Sequence, residues 1–357
     1  MNKKLQVFEL ETAEDLKKYN QYLVSINLND PFSKIGLVFN SNSSEHKLNF
    51  FLFSINGIPK IIMIFIVRNV EIFSEKTIYK DVISPYGYSG PIISESTVDE
   101  EIIAFWEAVD LWYRKNNIIS EFIRFSLNDN QRMYSGEITP TLHNVRGSII
   151  DEDLQWQKFD KKVRNNYRKA VQNNLTFNIF YRNITPEIIE QFYHIYNSTM
   201  IRRSAESQFF YPFNYFEEYI NENINNCATA MVYLDGKPIS TEFLLLSNDT
   251  VYSYLGGTIA DHFSARPNDY LKVKVLNWAR TLGFSYYLLG GGRTNDDQLY
   301  AYKKSFFPKD DDVIFYTGRK IINETIYKEL VSKYKKILES KPNNVNKHMG
   351  SYFPEYR

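Results

Sequence analysis

Ser285-Tyr-Tyr-Leu-Leu-Gly-Gly-Gly-Arg-Thr-Asn-Asp-Asp-Gln-Leu-Tyr-Ala-Tyr-Lys-Lys-Ser-Phe306 begins as a buried strand and breaks at three glycines, Gly290 to Gly292. It then delivers Arg293, two acids, two tyrosines and two lysines within a few residues. Glycines at the C-terminal end of a strand let a ligand approach the backbone, and the cations that follow suit a phosphate or a developing oxyanion. A glycine loop followed by a solvated charged turn fits the same letters. The order of elements around the stretch decides between them.

Working outward, a helix with Leu271, Val275, Trp278 and Leu282 on one stripe precedes this strand and is closed by Gly283. Before it come strands at Thr229 to Tyr233, Pro238 to Leu246 and Thr250 to Tyr254, the first two joined by an Asp235-Gly236 turn. A helix opened by Thr185-Pro186, a shorter helix from Phe213 to Ile220 and a strand at Leu175 to Tyr181 lie upstream. The first half repeats the order. Leu5 to Leu10 is a strand, and a helix capped by Thr12 and Asp15 carries Leu16, Tyr19 and Leu23. Strands at Leu48 to Ile55 and Lys60 to Val67 flank Asn56-Gly57, and a third runs from Glu71 to Ser84. The loop Pro85 to Pro91 leads to a helix capped by Thr97 that buries Ile103, Trp106 and Val109 or Trp112, and a strand from Glu121 to Leu127 ends the half. Each half therefore reads strand, helix or helices, three antiparallel strands, loop, helix, strand. The expected units are residues 1–150 and 151–357, divided where Asp151-Glu152-Asp153 opens a polar stretch.

That order, α/β with mixed α+β sheets, is the order of the acetyltransferase fold known as GNAT, and its duplication resembles the FemAB family. Local echoes are Lys161-Lys-Val-Arg-Asn-Asn-Tyr-Arg-Lys-Ala170, Asn268-Asp-Tyr-Leu-Lys272, Gly290-Gly-Gly-Arg293 and Tyr302-Lys-Lys-Ser-Phe306. The resemblance implies two tandem GNAT-like domains, with most of the active site in the second. It implies transfer of an acyl or aminoacyl group onto an amine, some members drawing on aminoacyl-tRNA to build peptidoglycan cross-bridges and others on acyl-CoA.

Glu242 is the first catalytic candidate, sharing a strand face with Ser240 and Leu244. Apolar surroundings would raise its pKa and suit a general base, whereas an outward face would leave it in solvent. Asp261 and His262, in the following loop, are alternative bases. The resemblance points to Lys303 for the acyl oxygen, from a Phe-Lys-x-Gly-Phe-like element in which Tyr302 and Ser305 replace Phe and Gly. Whether Lys303 or Lys304 points inward stays open. Arg164 and Arg168 lie on a basic helix that reads either as a wall for a phosphate-bearing substrate or as a solvated face. Arg202 and Arg203 sit where relatives place a phosphate-binding arginine, and Arg293 follows the glycines. Tyr86, Tyr88 and Ser89 in the Pro85 loop, Tyr254, and Tyr302 complete the expected substrate contacts. GNAT enzymes carry a glycine-bearing loop for the CoA pyrophosphate. Here the equivalent is His262-Phe-Ser-Ala-Arg-Pro-Asn-Asp269, which has no glycine.

Composition closes other classes. Lys plus Arg and Asp plus Glu each number 42, so no global basic footprint for DNA exists. One cysteine, Cys227, excludes an intrachain disulfide, and five histidines show no metal-ligand spacing, so no metal is expected. The longest apolar run, Ile61 to Val67, is too short for a membrane span, and a cytoplasmic protein is expected. No tightly bound cofactor is implied. The expected co-substrate is acyl-CoA and the acceptor an amino sugar carried on a nucleotide. The alternative is an aminoacyl-tRNA donor with a peptidoglycan precursor. A degenerate fold that only binds a nucleotide sugar or a protein partner is a third reading. Ile321 to Leu338 reads as an amphipathic terminal helix, and the polar tail from Lys341 as loose.

Overall fold

The computed structural model describes residues 2–26, 29–34, 46–340 and 353–357. Among these, residues 2–26, 46–141, 315–340 and 353–357 form one compact unit, and residues 29–34 with 142–314 form another.

In the first unit β1 (Lys3–Glu9), β2 (His46–Ile55), β3 (Ile58–Ile72) and β4 (Glu75–Ile83) form an antiparallel run. The short β5 (Pro91–Ile93) pairs with β3, and β6 (Ile118–Arg124) lies parallel to β4. Alternation along β2 fixes two layers: Phe51 and Phe53 pack under α2 (Asp99–Lys115), whereas Phe50 and Leu52 meet Tyr19, Leu23 and Ile26 of α1 (Ala13–Ile26). Thr12 and Asp15 cap α1 reciprocally, as read from the sequence. The cap of α2 differs: the helix starts after Val98, whose N–H donates to Glu101. That shift of one residue buries Ile102 in place of Ile103, which is 43% exposed.

The second unit repeats the arrangement after α3 (Glu152–Lys158) and α4 (Lys161–Gln172). β8 (Thr176–Tyr181), β9 (Cys227–Leu234), β10 (Lys237–Leu246) and β11 (Thr250–Thr258) are antiparallel neighbours, and β12 (Tyr286–Gly290) is parallel to β11. Helices α5 (Pro186–Arg202) and α6 (Phe213–Glu222) cover one face, and α7 (Pro267–Thr281) the other. The hairpins at Asn56-Gly57 and Asp235-Gly236 have positive φ at both central residues, the turn whose twist matches the flanking strands. A short α8 (Gln298–Lys304) follows β12.

Two strands went unread in the sequence. β7 (Glu137–Ser148) carries Pro140 and Gly147, and β13 (Val313–Ile321) carries Gly318, residues that weaken a strand pattern. They exchange halves. In the second unit β12 pairs antiparallel with β7, Tyr286 opposite Ser148, and in the first unit β6 pairs antiparallel with β13, Arg124 opposite Thr317. The expected division at residue 150 thus differs from the observed units in the described segments 29–34, 142–150, 315–340 and 353–357.

The terminal helix α9 (Glu324–Ser340) packs Tyr327 and Leu330 against Val70, Ile72 and Ile119. The end of the tail is a correction. Tyr356 is fully buried, and Arg357 pairs with Asp81, so residues 353–357 are fixed rather than loose. Residues 341–352 of that expectation lie outside the described residues. Cys227 opens β9, and burial pushes its thiol up to about 12. No helix among the described residues is long and apolar enough to cross a membrane.

Candidate active site

The parallel pairing of β11 with β12 covers only Thr250 to Tyr252 opposite Tyr286 to Leu288. β11 runs on to Thr258, while β12 turns to its other neighbour, Gly290 lying opposite Val145. The strands part, and from Ser253 onward the β12 side of β11 has no partner strand among the described residues. At the same point the β10–β11 register slips between Phe243 and Leu244, a bulge that re-aims the side chains of β11. Ser253 turns toward the α7 face. Tyr254 turns toward α6, where its hydroxyl lies 3.3 Å from that of Tyr215.

Glu242 of β10 is 3% exposed and on the α7 face. Its Oε1 takes hydrogen bonds from Lys272 Nζ and Ser253 Oγ, and its Oε2 takes one of 2.8 Å from Tyr287 OH. Lys272 also donates to Ser253 Oγ at 2.7 Å. Of the two sequence alternatives, buried or solvated, the buried one holds, but three polar donors rather than bare apolar surface surround the carboxylate. A buried carboxylate needs such donors to offset its lost hydration. The Tyr287 phenol is held far above its ordinary value by burial, then by the Glu242 charge.

Beside this cluster, Asp297 accepts from the backbone of Arg293 and Tyr300 at 2.7 Å each, which closes the glycine loop and caps α8. Those bonds lower its pKa. α8 presents Lys303 inward, Nζ donating to Gly291 O at 2.6 Å. Burial, reinforced by the Lys272 charge, pulls its ammonium down to about 8. Lys304 instead pairs with Asp312 at 2.7 Å, which settles which lysine faces the loop. The Tyr302 hydroxyl is buried with no hydrogen-bond partner among the described residues, and burial with the nearby Asp269 and Glu242 charges raises its pKa.

Other expected residues lie elsewhere. Arg164 Nη1 donates to the carbonyls of Gln157 at 2.9 Å and Phe159 at 2.7 Å, closing the end of α3. Arg168 lies over the Trp156 ring at 5.5 Å. Arg202 donates to Thr258 O at 2.7 Å, and Arg203, Asp261 and Arg293 are exposed. His262 is half-buried on the turn Ala260–Ala265, and no hydrogen bond links Asp261 or His262 to Glu242 among the described residues. Tyr86, Tyr88 and Ser89 belong to the first unit, with Tyr86 59% exposed and Ser89 N bonded to Arg124 O at 3.1 Å. Sequence reasoning missed Lys272, Ser253 and Tyr287. The available signal was a lysine between Leu271 and Val273 on the sheet-facing stripe of α7, opposite an acid in a core strand.

Residues 157–304, all in the second unit, match the acetyltransferase (GNAT) domain model, so this part of the chain is an acyltransferase domain. No curated protein sequence matches the chain. Among solved structures, FemX is similar with a TM-score of 0.64 at 12% identity, covering 90% of this chain and 99% of that one. L-PGS from Bacillus licheniformis gives 0.56 at 12%, covering 90% and 96%. A Bacteroides thetaiotaomicron protein of unknown function gives 0.57 at 9%, covering 88% and 100%. At such identities the likeness is one of fold. It runs through both units, so the fold is the tandem GNAT-like one.

Proposed function

We propose that the second unit moves an acyl group from a carrier to an amine by direct attack at the opening between β11 and β12. The observation that carries this reading is the pairing of that opening with a polar cluster, Glu242, Lys272, Ser253 and Tyr287, flanked by Lys303. The amine nitrogen bonds to the acyl carbon, and the carbonyl π electrons move onto oxygen beside the Lys303 ammonium. The amine proton passes through Ser253 Oγ to Glu242, and collapse expels the carrier oxygen or sulfur, which takes a proton from Lys303. Tyr302, Arg293, Arg203 and Asp261 are substrate contacts in this reading; Tyr254 lies on the α6 face, and Arg168 and Arg202 are held by the Trp156 ring and Thr258 O, so these three stand outside it. Arg164 and Lys304 are already engaged within the protein and support it structurally.

The donor we favour is an aminoacyl ester on tRNA, with a peptidoglycan precursor as acceptor. A CoA pyrophosphate would need free amides at the N-terminus of α7. The chain supplies there a 3₁₀ turn, Pro267 at the first helical position and buried Asp269 in the first turn. Desolvation raises the pKa of Asp269, and Asn166 donates to its carboxyl at 3.1 Å. The FemX-like architecture is consistent with this choice. A second reading, acyl-CoA with a nucleotide-linked amino sugar, is favoured by a different observation: α7 and α8, at 15 and 7 residues, form no long helical hairpin to grip tRNA.

Thermal stabilisation separates the two, because a ligand that binds only the native state raises the midpoint with occupancy. A shift with deacylated tRNA and none with CoA supports the aminoacyl donor. A shift with CoA, enlarged by a nucleotide-linked amino sugar, supports the second. Full transfer activity in both Glu242→Gln and Lys303→Met would remove the mechanism from either.

A further inference from the structure

Between α3, α4 and α7 the second unit holds a groove of about 250 Å³ that the transfer chemistry does not use. Its walls are aromatic. Trp156 stands edge-on to Tyr167, centroids 5.3 Å apart at 72°, and edge-on to Phe159 at 6.1 Å and 77°. Its rim is acidic, with Glu152 and Asp153 exposed in the first turn of α3 and neither in an ion pair with a described residue. Asn277 donates to Glu152 Oε1 at 2.6 Å and holds that carboxylate at the groove. Among the described residues no basic side chain lines the space, although α4 beside it carries five cations. The Arg168 guanidinium over the Trp156 ring at 5.5 Å shows that this ring accepts a cation on its face. Glu152 and Tyr167 both line the groove, and burial followed by the Glu152 charge raises the Tyr167 phenol above its ordinary value.

We propose that this groove binds an aliphatic primary ammonium, its short carbon chain lying along the rings and its charge between Glu152 and Asp153. Aromatic faces and carboxylates together select an organic cation, since either alone would accept a neutral apolar molecule or a hydrated metal ion. Pockets for drug-sized ligands start at about 300 Å³, so this one fits a group the size of a lysine side chain. A free diamine and a peptide lysine share that chemistry.

Isothermal titration of the full chain with 1,5-diaminopentane tests the proposal, with 1-pentanol as the uncharged comparator. The expected result is saturable binding of the diamine and none of the alcohol, with affinity falling at least tenfold in Glu152→Gln/Asp153→Asn. Trp156→Leu, which keeps both acids, is expected to weaken binding as well, and circular dichroism confirms that each variant is folded. Absent binding, equal binding of the alcohol, or unchanged affinity in both variants would overturn it. Nα-acetyl-lysine amide identifies the source: affinity equal to the diamine supports a peptide lysine, and weaker affinity supports a free diamine.

Discussion

The two units share strand order and hairpin chemistry but treat the same junction differently. In the first unit the parallel pair β4–β6 runs from Lys80 opposite Ile118 to Ile83 opposite Phe122. The chain beyond then keeps bonding to β6, Ser84 N to Phe122 O at 3.0 Å and Ser89 N to Arg124 O at 3.1 Å. In the second unit the equivalent pair stops after Tyr252, and among the described residues no further backbone pairing to β12 replaces it. Each unit also buries a carboxylate. Glu121, 0% exposed, accepts from Tyr113 and Tyr134 and lies 3.4 Å from Lys320, which donates to Asp110 and Ser135 as well. Glu242 has a comparable set of donors, but one of them, Ser253, is only half-buried and sits on the strand that parts. Continuous backbone pairing closes a cleft, and its interruption opens one. A buried ion pair in a closed setting holds the fold, and in an open one it can also serve chemistry.

The most damaging test of this contrast removes the lysine from each cluster. Leaving a buried carboxylate without its cation costs roughly 3–5 kcal/mol. Lys320→Met and Lys272→Met should therefore both lower the urea midpoint. Only Lys272→Met should also lower kcat of the folded protein. Equal loss of kcat in the two would erase the distinction between the units. Glu242→Gln narrows the question, with transfer falling about 10²-fold or more as expected for loss of a general base. Glu121→Gln should leave kcat within a factor of two or so, because that carboxylate is fully buried and engaged by Tyr113, Tyr134 and Lys320. Single-turnover rates on folded material read both.

The exchanged strands give a smaller, structural comparison. A methyl on Gly147 of β7 would stand 1.9 Å from the Phe307 ring, and one on Gly318 of β13 would stand 2.8 Å from Phe125 and Tyr134. Overpacking costs about 1–3 kcal/mol, so Gly147→Ala should destabilise more than Gly318→Ala, each measured by denaturant unfolding. The reverse order would mean that the ring over β7 yields more readily than the pair over β13.

Those two strands also mark the limit of what the sequence discloses. Hairpin glycines, helix stripes and alternation along β2 are local signals, and they place most elements within a few residues. β7 and β13 are specified by partners far away in the chain, and proline and glycine interrupt their pattern, so no window of neighbouring residues reveals them. The site divides the same way. Glu242 and Lys303 stand out as charges in apolar or glycine-rich settings. Lys272 and Tyr287 become meaningful only once α7 and β12 lie beside β10. Arg164 shows the opposite failure, a cation in a basic run whose use, closing the end of α3, depends on a helix boundary.

The mildest effect concerns protonation. Lys303, held near 8, is mostly ammonium at pH 7 and about one-quarter ammonium at pH 8.5. If its charge steadies the acyl oxygen, kcat/KM should fall about fourfold between those values, and in Lys303→Arg the fall should disappear because arginine stays charged. A rise across the same range would make the neutral amine the working form and move the role of base from Glu242 to Lys303. Stability changes with a definite sign. Between about 8 and the ordinary lysine value the unfolded chain binds more protons than the folded one, so this residue makes the protein more stable as pH rises through that window. Lys303→Met removes that slope. The variant should therefore gain on the parent below pH 8 and lose the advantage by pH 10.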